Sequence, residues 1–275
     1  MKVGLVISND EIKKYEVKEL YNLVNSNYEI SYIFSEKKKK FKKIKILEIL
    51  KSIINNKFFY LIYLEQKISS YIKKQNSYFE KLKEIEKKIN IFNEFPKINS
   101  VPKKKFVCLK VDKKFSFTEE MKEIIKKNCD ILVLLGFNKV LDPDVLNITK
   151  FGILSFHTSN TNKYRGRPAA FHEFINNEKY GGVTLQLLSE DIDFGLIVNQ
   201  KIIKIDHSRS FDETLYKMMS LKNDILLEGL KKIEKKEKFY TPSDESKYST
   251  FAKSRKFYKV FTCLKKTINK RYLNK

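Results

Sequence analysis

The segment Asp130-Ile-Leu-Val-Leu-Leu-Gly136 limits the possible folds more than any other stretch of the chain. Its run of consecutive apolar residues is too short for a buried helix and lacks polar alternation, so it reads as a strand covered on both faces. Strands of that kind belong to parallel sheets, whose crossover connections lay helices over both sides. Other segments supply the rest of such a fold. Residues 2–8 read as a first buried strand, and 28–35, with Ile30, Tyr32 and Phe34, as a second. Residues 106–111 and 151–156 read as further strands. Helical spacing fills 11–25 and 117–128, the latter opened by Thr118 as N-cap with Glu119 and Glu120 in its first turn. A short helix begins at Asp142-Pro143, and 182–188 with 196–205 read as an antiparallel pair at the sheet edge. The expected class is α/β, a doubly wound, mostly parallel, Rossmann-like sheet. No G-x-G-x-x-G follows the first strand, so the dinucleotide fingerprint is absent.

Two regions depart from this alternation. Residues from about 36 to 95 are lysine-rich and free of glycine and proline, with apolar residues such as Ile46, Leu50, Leu61, Leu64, Leu82 and Ile85 at helical spacing. They read as two or three amphipathic helices inserted into the sheet order. Residues 210–235 read as one long helix, 241–249 as a polar linker and 251–275 as a basic tail. The expected organisation is a unit of 1–205 carrying the helical insertion, followed by a helical extension of 206–275.

The formal charge of +23 should draw anions to the surface. Only five of the 56 basic residues are arginines, however, and dedicated phosphate forks favour arginine, so nucleic acid is a disfavoured partner. The lysine-rich helices of the insertion read first as a solvated excursion, with weak contact with an anionic membrane surface as the alternative. Three scattered cysteines without a C-x-x-C pair suit a reducing compartment. The N-terminal apolar stretch is too short for a signal peptide, and the longest apolar run, 58–64, is too short to span a bilayer. The expected location is cytoplasmic.

Chemistry concentrates in 151–198. An apolar strand ends in Ser155-Phe156-His157. A polar loop follows, with Tyr164-Arg165-Gly166-Arg167 in it, and then Pro168 opens a helix-like segment of 169–176. The alternating segment 183–188 leads to Glu190, Asp191 and Asp193 in a turn closed by Gly195. A histidine and an acidic turn at two strand ends are thus offered to one sheet edge, where sites form in open α/β sheets. A carboxylate on one imidazole nitrogen sets the tautomer and strengthens the base.

At Gly152–Gly166 and Asp191–Gly195 the chain resembles the formyltransferases that use 10-formyltetrahydrofolate. That family includes glycinamide ribonucleotide, methionyl-tRNA and sugar-nucleotide formyltransferases. Its pattern is Asn-x-His at a strand end, a loop to Arg-Gly, and Leu-Asp-x-Gly further on. The matching residues are Ser155-Phe156-His157, Arg165-Gly166 and Ile192-Asp193-Phe194-Gly195, with a serine in place of the asparagine. The resemblance implies that His157 stabilises the oxyanion and moves protons, that Asp193 orients it, and that Ser155 stands in the third catalytic position. It implies a folate held by Leu135, Gly136, Phe137 and Asn138 with Glu190, Asp191 and Ile192, and an acceptor met by Arg165, Gly166 and Arg167. It further implies 10-formyltetrahydrofolate as formyl donor, no metal, and a small-molecule amine acceptor. The segment Arg165-Gly-Arg-Pro-Ala-Ala-Phe171 looks like a polysaccharide-associated subset, which points to an amino sugar of a nucleotide-activated or polysaccharide precursor. Methionyl-tRNA as acceptor, or a silent folate- or nucleotide-binding relative, are the alternatives.

Overall fold

The computed structural model describes residues 1–37, 77–112, 114–137, 139–166, 168–209, 211–243 and 246–249. The helices expected over most of the insertion, the basic tail, Asn138, Arg167 and Cys263 lie outside these residues.

In chain order the described elements are β1 (Lys2–Ser8), β2 (Glu11–Lys13), α1 (Val17–Val24), β3 (Glu29–Glu36), α2 (Ser77–Ile85), β4 (Lys88–Asn90), α3 (Ile91–Glu94), β5 (Lys103–Phe106), β6 (Leu109–Val111) and β7 (Lys114–Ser116). They continue as α4 (Glu119–Asn128), β8 (Ile131–Leu134), α5 (Pro143–Leu146), β9 (Ile153–His157), β10 (Tyr164–Gly166), α6 (Phe171–Ile175), β11 (Tyr180–Leu187), β12 (Leu196–Lys204), α7 (Phe211–Ser220), α8 (Ile225–Glu234) and β13 (Lys247–Ser249). The main sheet runs β12-β11-β9-β8-β1, with β3 and β5 continuing beyond β1, and with β2 and β4 attached to the end of β1. Strands β9, β8, β1, β3 and β5 are mutually parallel, and β11 and β12 add antiparallel at one edge.

Alternation along the strands divides the core in two. Val3, Leu5 and Ile7 of β1 and Val133 of β8 meet Leu20 and Leu23 of α1 and Leu226 and Leu230 of α8 on one face. Val6, Leu132 and Leu134 meet Phe117 and, from α4, Met121 and Ile125 on the other. Helices on both sides of a parallel sheet explain why β8 is apolar at every position. Thr118 caps α4 as expected, its hydroxyl accepting from Met121 N–H at 3.3 Å.

Four local expectations are corrected. Asn9 and Asp10 both have φ +59° and form a two-residue hairpin, so the chain runs into β2 and the helix begins only at Val17. Residues 106–111 split: β5 joins the main sheet, while β6 pairs with β7 and leaves Leu109 and Val111 exposed. The long helix of 210–235 is two, broken at Asp224 with φ +67°. The Glu19 carboxylate restarts it by accepting the N–H groups of Ile225 and Leu226 at 3.0 and 3.1 Å. Finally, part of the polar linker is a strand, β13, parallel to β10.

Candidate active site

β9 begins with Ile153 and Leu154 fully buried and ends with three half-buried residues, Ser155, Phe156 and His157. Period-two alternation sends Ser155 and His157 to one side of the sheet and Phe156 to the other. The antiparallel neighbour β11 sets Gln186 across from Ser155 and Thr184 across from His157. The turn out of β11 then folds Asp193 back toward them. This turn tolerates no side chain at Gly195, where a Cβ would lie 1.9 Å from the Leu187 carbonyl oxygen. Asp193 itself holds φ +55°, a conformation in which aspartate is one of the more accommodating side chains.

The result is a three-way junction. His157 Nδ1 faces Asp193 Oδ1 at 3.4 Å, with side chains 11% and 20% exposed. The Gly166 N–H donates to Asp193 Oδ2 at 3.0 Å, and Gln186 Nε2 donates to Oδ1 at 3.3 Å. Residues from β9, β10, β11 and the turn before β12 therefore converge on one carboxylate, at the C-terminal edge of the parallel strands. Of the residues singled out in the sequence, His157 and Gly166 thus face the Asp193 carboxylate, and Ser155 lies two positions before His157 on the same side of β9, across from Gln186.

The loop from His157 to Arg165 is held by a buried polar network. Ser159 Oγ and Asn160 N–H both donate to Glu173 Oε1. Burial pushes the Glu173 carboxyl above its ordinary range, and these donors pull it part of the way back. Thr184 Oγ donates to the Ser159 carbonyl at 3.0 Å and Gln200 Nε2 donates to Thr184 at 2.8 Å. Arg165 lays its guanidinium 4.3 Å from the Phe194 ring centroid and donates from Nη2 to the Ser246 carbonyl at 3.2 Å. It is thus bound to the acidic turn and to the segment entering β13. Gly166, φ +89°, pairs with Ser249 in that small sheet.

At the end of β8 the expected donor loop occupies the same edge. Leu135 is buried and its N–H donates to the Val6 carbonyl at 3.0 Å. Gly136, φ +62°, donates to Glu16 Oε1 at 3.1 Å, and Phe137 packs in the core near Phe106. Glu190 and Asp191 are exposed, as is Ile192 at 40%.

Beneath Phe156, on the opposite face of the sheet, lies a cluster the sequence did not signal. Lys222 is buried, with its ammonium 4.5 Å from the Tyr15 ring centroid and 5.3 Å from that of Phe156. Burial lowers the lysine's pKa, and Glu16 and Glu19 oppose that. Burial likewise raises Glu19 to about 7, although two backbone N–H groups favour its anion. Gln186, Thr184 and Gln200 were also unsignalled. Only the polar residues at alternate positions of an otherwise apolar β11 hinted at Thr184 and Gln186, while Gln200 comes from β12.

Among the described residues no group of three or more His, Cys, Asp or Glu is placed to hold a metal ion, and no helix is long and apolar enough to cross a membrane. The sequence model of a family described as formyl transferase matches residues 78–230. A methionyl-tRNA formyltransferase of Staphylococcus aureus is 28% identical over 162 residues, 57% of this chain and 52% of that protein. The chain thus spans about half the length of the curated relatives it matches. An N-formyltransferase from Helicobacter canadensis, solved with folinic acid and dTDP-3-aminofucose, superposes with a TM-score of 0.56 at 15% identity, covering 99% of this chain and 82% of that one. A sugar 3N-formyltransferase solved with dTDP and 5-N-formyl-tetrahydrofolate gives 0.53 at 16%, covering 92% and 70%. At such identities these likenesses establish the shared α/β fold.

Proposed function

This chain belongs to the formyltransferase family, and from that premise we propose that it moves a formyl group from 10-formyltetrahydrofolate to an amine on a nucleotide-linked amino sugar. The observation that carries this reading is the His157–Asp193 pair, held by Gly166 at the C-terminal edge of the sheet. With Nδ1 directed at Asp193, Nε2 is the nitrogen that takes part in proton transfer. The acceptor nitrogen forms a bond to the formyl carbon, and the bond from that carbon to N10 of the folate breaks. One proton leaves the acceptor nitrogen and one arrives at N10. His157 mediates this transfer and stabilises negative charge on the formyl oxygen, Asp193 holds the imidazole in its tautomer, and the Ser155 hydroxyl is a further donor toward that oxygen.

The donor supplies the formyl carbon. Its pterin carries N–H donors, which suit carbonyl acceptors along Leu135–Phe137, because the N–H groups of Leu135 and Gly136 are committed to Val6 and Glu16. Ile192 offers an exposed apolar surface in the facing turn. Asn138 and Arg167 keep the roles the resemblance implies, in the donor and acceptor sites respectively. The amino-sugar acceptor is supported by the ligands of the two solved neighbours. A second reading, methionyl-tRNA, is favoured by the curated relatives and by the charge of +23.

The test is purified protein with 10-formyltetrahydrofolate and a panel of amines, including dTDP-3-aminofucose and methionyl-tRNA, followed by product mass. A formylated sugar nucleotide supports the proposal. Formylated methionyl-tRNA replaces it with the second reading, and no formylated product leaves only the silent relative.

A further inference from the structure

Gln186 belongs to no motif, yet it touches the central carboxylate. It is 1% exposed and lies across the ladder from Ser155. Its Nε2 donates to Asp193 Oδ1, the same oxygen that faces His157 Nδ1. Its carbonyl Oε1 is sealed from solvent and has no hydrogen-bond partner among the described residues. Turning the amide over does not relieve this, because it would press a carbonyl oxygen against the carboxylate. An unpaired buried acceptor costs stability that an apolar side chain of similar length, such as methionine, would not incur. What glutamine gains for that cost is a single N–H on Asp193.

We infer that Gln186 is a positioning residue that tempers the Asp193–His157 pair, drawing charge from Oδ1 and so limiting how strongly Asp193 keeps a proton on the imidazole. Two donors share one carboxylate oxygen, and a hydrogen bond to the anion from one weakens what it offers the other. An imidazole held too firmly by its carboxylate stays protonated and cannot act as a base, and a general base works best when it titrates near the operating pH. Among the described residues, the other charged groups on elements around His157 include Glu190 and Asp191 of the exposed turn, Arg165 on β10, Glu173 behind the loop, and Lys222 beyond Phe156. All of these remain when Gln186 is changed, so one substitution isolates one donor.

The effect on rate rests on the formyl-transfer reading, whereas the effect on the imidazole does not. The experiment therefore has two arms. NMR follows the titration of the three histidines in wild type and Gln186→Met, with His157→Gln assigning the His157 signal. The expected result is a Gln186→Met protein at least as heat-stable as wild type, with the His157 midpoint moved to higher pH and the His172 and His207 midpoints unmoved. In the second arm, with an accepted amine, the variant-to-wild-type ratio of kcat/KM falls about threefold from about pH 8 to about pH 6, as a half-unit displacement of the acid limb requires. An unmoved or lowered His157 midpoint overturns the inference. So does a rate loss equal at every pH, the mark of a purely structural role. Failure of both Gln186→Met and Gln186→Leu to fold also overturns it, because the unpaired acceptor predicts that an apolar residue is tolerated. If no amine is formylated, the formyl-transfer reading fails and the NMR arm still decides the role of Gln186.

Discussion

Replacing Asp193 by asparagine keeps the shape of the side chain and removes its charge. The native carboxylate faces three nitrogens: Gly166 N at 3.0 Å on Oδ2, and Gln186 Nε2 at 3.3 Å and His157 Nδ1 at 3.4 Å on Oδ1. Asparagine has one acceptor oxygen and one amide donor. If the oxygen stays on the Gly166 N–H, the amide group faces Gln186 and His157. The Gln186 amide can then turn so that its Oε1 accepts from the asparagine amide, and its NH2 takes over the position without a partner, so one buried amide group stays unpaired as in the native protein. Stability should change by less than about 1 kcal/mol, the worth of one ordinary hydrogen bond. Catalysis fares differently. An N–H facing Nδ1 forces the imidazole into the tautomer with its proton on Nε2, which removes the base. In a serine-protease triad that error costs about 10⁴ in turnover, and a loss of about 10³–10⁴ is expected here. At 1.36 kcal/mol per factor of ten this is about 4–5.5 kcal/mol of transition-state stabilisation. The assay is kcat/KM with 10-formyltetrahydrofolate and an accepted amine, paired with a urea titration. A folded Asp193→Asn enzyme working within about tenfold of wild type would refute the orientation argument.

Further outcomes follow from other parts of the structure. Ser155→Ala should lower kcat by about 10²–10³ with little change in folate affinity by calorimetry, since an oxyanion donor acts in the transition state; an unchanged kcat removes the serine from the mechanism. Gly195→Ala places a Cβ 1.9 Å from the Leu187 carbonyl and should destabilise the fold by about 2–4 kcal/mol in urea titration. Glu19, raised to about 7 by burial, stabilises the fold as the neutral acid; that contribution is complete below its unfolded value near 4.5 and is lost as pH rises through about 7. Wild-type urea midpoints should accordingly fall between about pH 5 and pH 8, and Glu19→Gln should flatten the dependence. Binding to tRNA should weaken steeply with salt and show no preference for initiator tRNA, and salt-resistant selectivity would count against a merely diffuse charge.

Sequence alone was enough for the class of fold and for the two ends of the candidate site. The apolar run of β8 demanded a sheet covered on both faces, and His157 and Asp193 stood at strand ends in a recognisable order. Period and spacing are local properties, so they survive in one dimension. What they could not supply were contacts between residues far apart in the chain. The break at Asp224 depends on a carboxylate from Glu19 of α1, and the restart of α8 has no explanation without it. The hairpin at Asn9 and Asp10 interrupts a helical pattern because β4 pairs with β2, across more than seventy intervening residues. The burial of Lys222 is invisible in a chain where lysine is abundant, since nothing nearby distinguishes it from solvated neighbours. Gln186 is the sharpest case. Its residue type is unremarkable in a strand, and only the register of β11 on β9, with the turn that returns Asp193, brings its amide to the carboxylate. Propensity and periodicity are written in neighbouring residues, whereas the charge state and orientation of a site are set by groups that meet only after the sheet has closed.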